Sequence, residues 1–273
     1  MKLFKNFLLI ATLCVATFGG PEMSVSLAST QSPPTPGQCH VAREVQKFLT
    51  CTYGAKNPTY RIALTGDSHA MQYQRPILAL VQKYGWSVTF ILKSACPLVD
   101  PALFPSNMNN PSCKWWSVQR EKYFASHKPF DLVINSNSTL VTRYKNNMAA
   151  AYASAVKKIT RRNTTVLLIS DSPKAIDGVE KCALNKAKLL SGKCDNPRAK
   201  ALSISDILPA AVAGNHRVIV ADFTEAYCDR KTCYASRYDE NVYRDRGHIT
   251  LHWAMHLLSR LDAVIPVKLK HLG

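Results

Sequence analysis

The stretch Arg61-Ile62-Ala63-Leu64-Thr65-Gly66-Asp67-Ser68-His69-Ala70 decides how the rest of the chain is read. Its first five residues form a short, mostly apolar run that Gly66 stops. From residue 70 to 84, Met71, Ile77, Leu78, Leu80 and Val81 then recur at helical spacing. A strand that turns at a glycine into a helix is the first half of a βα unit. The same alternation continues outward. Trp86 to Leu92 reads as a second strand, residues 115–127 as a helix, and Asp131 to Ile134 as a third strand. Lys145 to Arg162 is Ala-rich and amphipathic, hence helical. Thr165 to Ser170 reads as a fourth strand and Arg198 to Ala213 as a helix that Pro209 kinks or ends. Arg217 to Ala221 reads as a fifth strand and Ile249 to Leu261 as a last helix. Strands each followed by a helix imply right-handed βαβ units and a parallel sheet. Nearly continuous apolar runs suit strands buried on both faces. The expected fold is α/β, a three-layer α/β/α domain with a five-stranded, mostly parallel sheet whose core covers residues 58–265.

Function in such sheets collects in loops beyond the carboxyl ends of the strands. Ser68 sits in such a place, after a glycine that permits a tight bend. The start of the following helix directs free backbone N–H groups toward its surroundings. A nucleophile needs that position: exposed, rigid and close to oxyanion donors. The ordinary alternative is a turn in which Ser68 or Asp67 caps the helix. A second segment, Tyr243-Arg244-Asp245-Arg246-Gly247-His248-Ile249-Thr250, places Asp245 and His248 three residues apart before the last helix. The carboxylate can bond one ring nitrogen while the other faces a serine. Alone, Asp245 reads equally as a cap and His248 as a surface residue. A serine turn near the start combined with this Asp-x-x-His near the end is more specific than either.

The 273 residues carry 35 Lys+Arg against 18 Asp+Glu, a formal charge of +17. That balance admits nucleic acid, an anionic membrane face or an acidic polymer as partner. The N-terminus narrows the choice. Lys2 and Lys5 precede an apolar stretch, Phe7 to Phe18, broken only by Thr12 and Thr17; Gly19-Gly20-Pro21 and the small residues of Ser26-Leu27-Ala28 follow. This is the pattern of a secretory signal, residues 1–28, cleaved near Ala28. The stretch is short for a membrane span, which needs about 20 residues. An uncleaved anchor is the alternative. Residues 29–37 read as a flexible lead-in, and 38–273 as a single domain. Cleavage removes Cys14 and leaves an even set of cysteines for an oxidising compartment. They fall into neighbouring couples: Cys39 with Cys51, Cys96 with Cys113, Cys182 with Cys194, and Cys228 with Cys233. Each couple is expected to be a local disulfide. No C-x-x-C pair exists, so zinc is not expected, and no Lys/Arg run longer than two marks a phosphate-binding stripe.

Gly-Asp-Ser in the first βα unit with Asp-x-x-His before the last helix resembles the SGNH (GDSL-type) hydrolase superfamily. A narrower set of segments comprises Gly66-Asp67-Ser68-His69-Ala70, Ser94-Ala95-Cys96-Pro97, Asp131-Leu132-Val133-Ile134, Cys228 with Cys233, and Tyr243-Arg244-Asp245-x-x-His248-Ile249-Thr250. These are similar to the extracytoplasmic SGNH domain usually fused behind acyltransferase-3 membrane proteins. The resemblance spans residues 39–262. It implies an SGNH/flavodoxin-like fold, with Ser68 as nucleophile, His248 as general base then acid, and Asp245 as orienting carboxylate. It implies the backbone N–H of Ser68 as one oxyanion donor. The superfamily's second block carries an oxyanion glycine; here Lys93-Ser94-Ala95 occupies that neighbourhood. The third block carries an asparagine after a strand; here Asn137, or Asn135, stands in that place without the usual Gly-x-Asn-Asp setting. Trp253 stands where the family often has a small residue. The expected function is a secreted or periplasmic O-acetyltransferase or O-acetylesterase acting on envelope or extracellular carbohydrate, with no metal and no organic cofactor. Its partners would be an acylated carbohydrate or acyl donor, a membrane acyltransferase supplying acyl groups, and an anionic envelope surface, but not nucleic acid. The rival readings are a general secreted esterase or lipase, and a non-catalytic basic glycan-binding module that retains the fold.

Overall fold

A computed structural model of the chain describes residues 38–140 and 147–270. The stretch read as a signal peptide, the lead-in at 29–37 and the last three residues lie outside the described residues. The strands in chain order are β1 (His40–Val41), β2 (Cys51–Gly54), β3 (Arg61–Gly66), β4 (Ser87–Lys93), β5 (Leu132–Ser136) and β6 (Thr165–Ile169), followed by Val218–Ala221. β3 lies at the centre. It pairs in parallel with β4 on one side and β5 on the other, and β6 and Val218–Ala221 extend the sheet beyond β5, again in parallel. These five strands are the ones expected from their apolar runs, and β4 to β6 are buried at every residue. Burial of this kind arises when helices cover both faces of a parallel sheet.

The sheet has two further strands on the outer edge of β4. β1 runs parallel to the end of β4, with His40 opposite Leu92. β2 runs antiparallel to its beginning, with Cys51 opposite Phe90. A two-residue strand and a half-exposed four-residue strand carry no period that a sequence scan detects. Tertiary bonds hold them in place instead. Cys39 and Cys51 are disulfide-bonded. Lys93, fully buried, donates its ammonium hydrogens to the carbonyls of Ala42, Arg43 and Val45. The couples Cys96–Cys113, Cys182–Cys194 and Cys228–Cys233 are likewise bonded, each within a short stretch of chain.

Helices form the two outer layers. α1 (Ser68–Met71) and α2 (Gln74–Tyr84) share one apolar layer with the C-terminal helices Leu251–His256 and Leu258–Val264. α3 (Pro111–Ser126) and α4 (Met148–Thr160) make the other, around Trp116, Tyr152 and Val156. Trp116 is therefore core, and Trp115 packs against it. Helix starts follow local chemistry: Asn110 Oδ1 accepts from the N–H of Cys113, with Pro111 in the first turn of α3. The expected helix at 198–213 is instead two short ones, Arg198–Ala201 and Leu208–Ala211. Asp206 accepts from the N–H of Leu208, and Pro209 stands in the first turn of the second helix, so this segment restarts a helix rather than continuing one.

The registers align the carboxyl ends of β3, β4 and β5, with Gly66 opposite both Leu92 and Ser136. The loops that follow these strands therefore emerge side by side. Gly66 has φ of +143°, and a Cβ there would lie 2.2 Å from the carbonyl oxygen of Ser136 and 2.8 Å from Ala70 Cβ. Only a glycine fits both the angle and the gap. Gly66→Ala should cost about 2–4 kcal/mol, because backbone and neighbouring strand must both shift. Urea unfolding measures it; an unchanged midpoint would show that the strands separate freely here.

Candidate active site

Ser68 is the first residue of α1, directly after its N-cap Asp67. The Asp67 carboxylate is buried and divided between two partners. Oδ1 accepts from the N–H of His69 at 2.8 Å, and Oδ2 from the N–H of Ser138 at 3.0 Å. Thus one side chain caps the helix and ties the serine turn to the loop after β5.

The Asp-x-x-His segment closes upon itself. The N–H of Arg244 donates to the His248 carbonyl at 2.9 Å, and Tyr243 bridges Ile249. Asp245 Oδ1 accepts from the N–H groups of Gly247 and His248, both at 2.9 Å. Short polar side chains that bond the backbone two and three residues on make such turns. Gln72 then joins this loop to the serine turn. Its Oε1 accepts from the N–H of Ile249 at 2.5 Å and its Nε2 donates to the His69 carbonyl at 3.1 Å.

The result is a continuous chain of side chains. His248 Nε2 lies 2.8 Å from Ser68 Oγ, and His248 Nδ1 lies 2.8 and 3.0 Å from the two oxygens of Asp245. With the carboxylate on Nδ1, the proton sits there and Nε2 is left to accept from the serine. Burial would raise Asp245, but the N–H of Gly247 and the His248 ring hold its carboxyl down at about 2. Burial lowers His248 below the ordinary imidazole value. Charge on His69 adds to that, Asp245 opposes it, and Arg244 pushes in the same direction as burial.

Around this chain lie the other residues singled out from sequence. Asn135 and Asn137 are both buried. Asn135 Nδ2 donates to the Thr65 carbonyl at 2.7 Å, while its Oδ1 accepts from Tyr152 and from Asn137 Nδ2. Asn137 Oδ1 accepts from the N–H of Leu98 at 3.1 Å, which leaves the second hydrogen of its amide. Arg120 holds that contact from behind, donating to the carbonyls of Pro97 and Val99 on either side of Leu98. His256 pairs with Glu240 on the surface.

Three further groups at this edge were not singled out from the sequence. Ala95, in the Lys93-Ser94-Ala95 segment, has φ of +52°, the left-handed region that favours glycine. Its N–H and that of Ser68 bond no group among the described residues. His40 places Nε2 3.3 Å from Ser94 Oγ, and burial, then Lys93, His248 and Arg244, push it down to about 4. Nothing in the sequence around His40 marks it. Asp171 stands two residues after β6, at the edge where function collects. It accepts from His69 Nδ1 at 2.6 Å.

Comparison with known families matches residues 38–263 to the SGNH domain (fused to AT3 domains). No curated protein sequence matches the chain significantly. Among solved structures, the lipopolysaccharide acetyltransferase periplasmic domain of Salmonella ser. Paratyphi A superposes with a TM-score of 0.54 at 17% identity. That match covers 76% of this chain and 84% of the other, and it carries the fold. A match over most of the chain, an α/β sheet of this topology, and the serine turn beside the Asp-x-x-His loop lead to one assignment: the chain belongs to the SGNH domain family found fused to AT3 domains.

Proposed function

We propose that the chain is a periplasmic or secreted acyl-transfer enzyme, an O-acetyltransferase or O-acetylesterase, acting on envelope carbohydrate through an acyl-serine. The observation that carries this is the bonded sequence Asp245–His248–Ser68 at a strand-to-helix turn. Ser68 Oγ attacks the ester carbonyl carbon while His248 Nε2 takes its proton. The carbonyl oxygen becomes an oxyanion. His248 then returns the proton to the departing alkoxide, which leaves as an alcohol. In the second half a sugar hydroxyl or water attacks the acyl-serine, gives its proton to His248, and Ser68 regains a proton as the new ester or acid departs. Free N–H groups of Ser68 and Ala95 and the remaining amide hydrogen of Asn137 form the oxyanion hole. Asn135 serves it by orienting Asn137. The envelope setting and the carbohydrate acceptor rest on family membership and on the similar domain, a periplasmic part of a lipopolysaccharide acetyltransferase. A charge of +17 suits an anionic envelope surface. A membrane acyltransferase is the partner that would supply acyl groups.

The test uses acetyl-ester donors with and without acceptor glycan. Ser68→Ala should lower acetyl release and transfer by at least about 10³-fold. Wild-type turnover in that variant overturns the serine chemistry, and salt-sensitive glycan binding without turnover in either protein points to a binding module instead. Asn137→Ala should lower kcat by about 10²–10³-fold with little change in fold, as loss of one oxyanion donor does. The base is the neutral imidazole of His248, so activity fails as pH falls through that group's own pKa. Because the group is lowered, the acid limb of kcat/KM should lie below 6.5. An acid limb that stays unchanged when His248 is replaced contradicts the assignment of His248 as the base.

A further inference from the structure

A second histidine–aspartate pair lies beside Ser68, and the acyl-transfer steps do not use it. His69 Nδ1–H donates to Asp171 Oδ1 at 2.6 Å, with the two side chains only 4% and 1% exposed. The same oxygen accepts from the N–H of Ser172 at 2.8 Å. The other accepts from the N–H and hydroxyl of Thr139, at 2.6 and 2.9 Å, and from Lys174 Nζ at 2.5 Å. Five donors thus converge on one buried carboxylate. His69 is fixed at its backbone as well, its N–H by Asp67 and its carbonyl by Gln72. Its ring packs against that of His248, with centroids 4.7 Å apart and planes inclined by 41°.

We propose that the His69–Asp171 pair is a positioning element for His248, a rigid wall that holds the His248 ring in the plane where it exchanges a proton with Ser68. The proposal rests on the acyl-transfer reading above. His248 needs such a wall. It stands on a loop, and its own orienting carboxylate, Asp245, is 42% exposed and shared with Arg244. The two in-plane bonds of His248 restrain its edges, whereas a neighbour on its face restrains its tilt. His69 comes from the β3 turn, Thr139 from the loop after β5, and Asp171 and Lys174 from the loop after β6. Three adjacent parallel strands therefore anchor the wall, and the stiffness of the sheet is carried to a loop residue. Groups held by such supporting contacts keep catalytic geometry to within a fraction of an ångström.

The contact is electrostatic as well as steric. The charged or titratable groups around His248 are Asp245, Arg244, His40 and His69, and those around His69 are Asp67, Asp171, Lys174 and His248. The electrostatic influence of His69 lowers the ring that it touches. Removing His69 therefore raises the pH at which His248 becomes a free base.

The pH dependence of aryl-acetate hydrolysis by the whole mature chain tests this. In His69→Asn the amide nitrogen replaces Nδ1 and can still donate to Asp171, so the fold is retained while the ring is removed. Its kcat should fall about 10–100-fold, the loss that a small misplacement of a catalytic group causes, with KM held within about twofold. The acid limb of kcat/KM should move to higher pH. Asp171→Asn should lower kcat as well, and the double variant should cost no more than the worse single one, because the two residues act as one unit. The unaltered protein supplies a reading that needs no variant: NMR should show the His69 Nδ1 proton far downfield and slow to exchange. If that proton exchanges freely, the pair is not formed and the proposal falls. If Ser68→Ala is inactive but His69→Asn keeps wild-type kcat and an unmoved acid limb, the positioning role alone is overturned. Should Ser68→Ala remain active, the fault lies with the serine chemistry on which the role depends.

Discussion

The close approach of β3 and β5 at their carboxyl ends governs this structure. The Ser136 carbonyl oxygen fills the space where a side chain at residue 66 would begin. With no Cβ there, the chain leaves β3 at a φ of +143°, and Ser68 starts a helix within two residues of the strand. The same proximity lets Asp67 reach Ser138 and lets Asn135 reach the Thr65 carbonyl. The placements of Asn135, of Ser68 and of the helix cap are thus consequences of one packing contact. A wider gap would loosen all three together.

The second motif is held at this edge by apolar packing of Val242, Tyr243 and Ile249 and, with it, by buried polar groups. Gln72 and Ile249 lie 177 residues apart in sequence, and their hydrogen bond sets the height of the Asp-x-x-His loop over the serine turn. A buried amide without such a partner is costly, so a register in which Gln72 misses the loop is disfavoured. Around it, Asn137, Asn135, Tyr152 and Leu98 form one network, and His69, Asp171, Thr139 and Lys174 form another. Buried networks of this kind select one arrangement sharply, because most alternatives leave further polar groups unpaired in a low dielectric.

What was legible in the sequence follows from these causes. The five parallel strands were legible because each is a short, mostly apolar run, and β4 to β6 are buried on both faces. Ser68, Asp245 and His248 stood out because a serine after a glycine turn and an Asp-x-x-His before a helix are local patterns. β1 and β2 were not legible, since their pairing with β4 is maintained by a disulfide and by Lys93 reaching back to three carbonyls. Asp171 was hidden for a related reason. One acid after a strand resembles any loop residue until Thr139, Lys174 and His69 converge on it from distant positions. Ala95 hid in a different way: its left-handed backbone has no mark when the residue is not glycine. The helix expected at 198–213 shows the opposite error, in which composition suggested continuity and the Asp206 cap and Pro209 mark a restart.

The charge of the chain gains a local meaning at this edge. In the proposed reaction, proton transfer from Ser68 would create two charges at once, an oxyanion on the substrate and an imidazolium on His248. Arg244 and any charge on His69 or His40 favour the first and oppose the second. Asp245 resolves the conflict. Held at about 2 by the N–H of Gly247 and by His248 itself, it stays ionised throughout the working range and offsets the imidazolium as it forms. The carboxylate lies beside Nδ1, the ring nitrogen remote from Ser68, so it would stabilise one product of the transfer without repelling the other. Burial, with Arg244 nearby, therefore favours the neutral form of His248, while one carboxylate behind the ring would let it become charged for the moment that the proposed reaction requires.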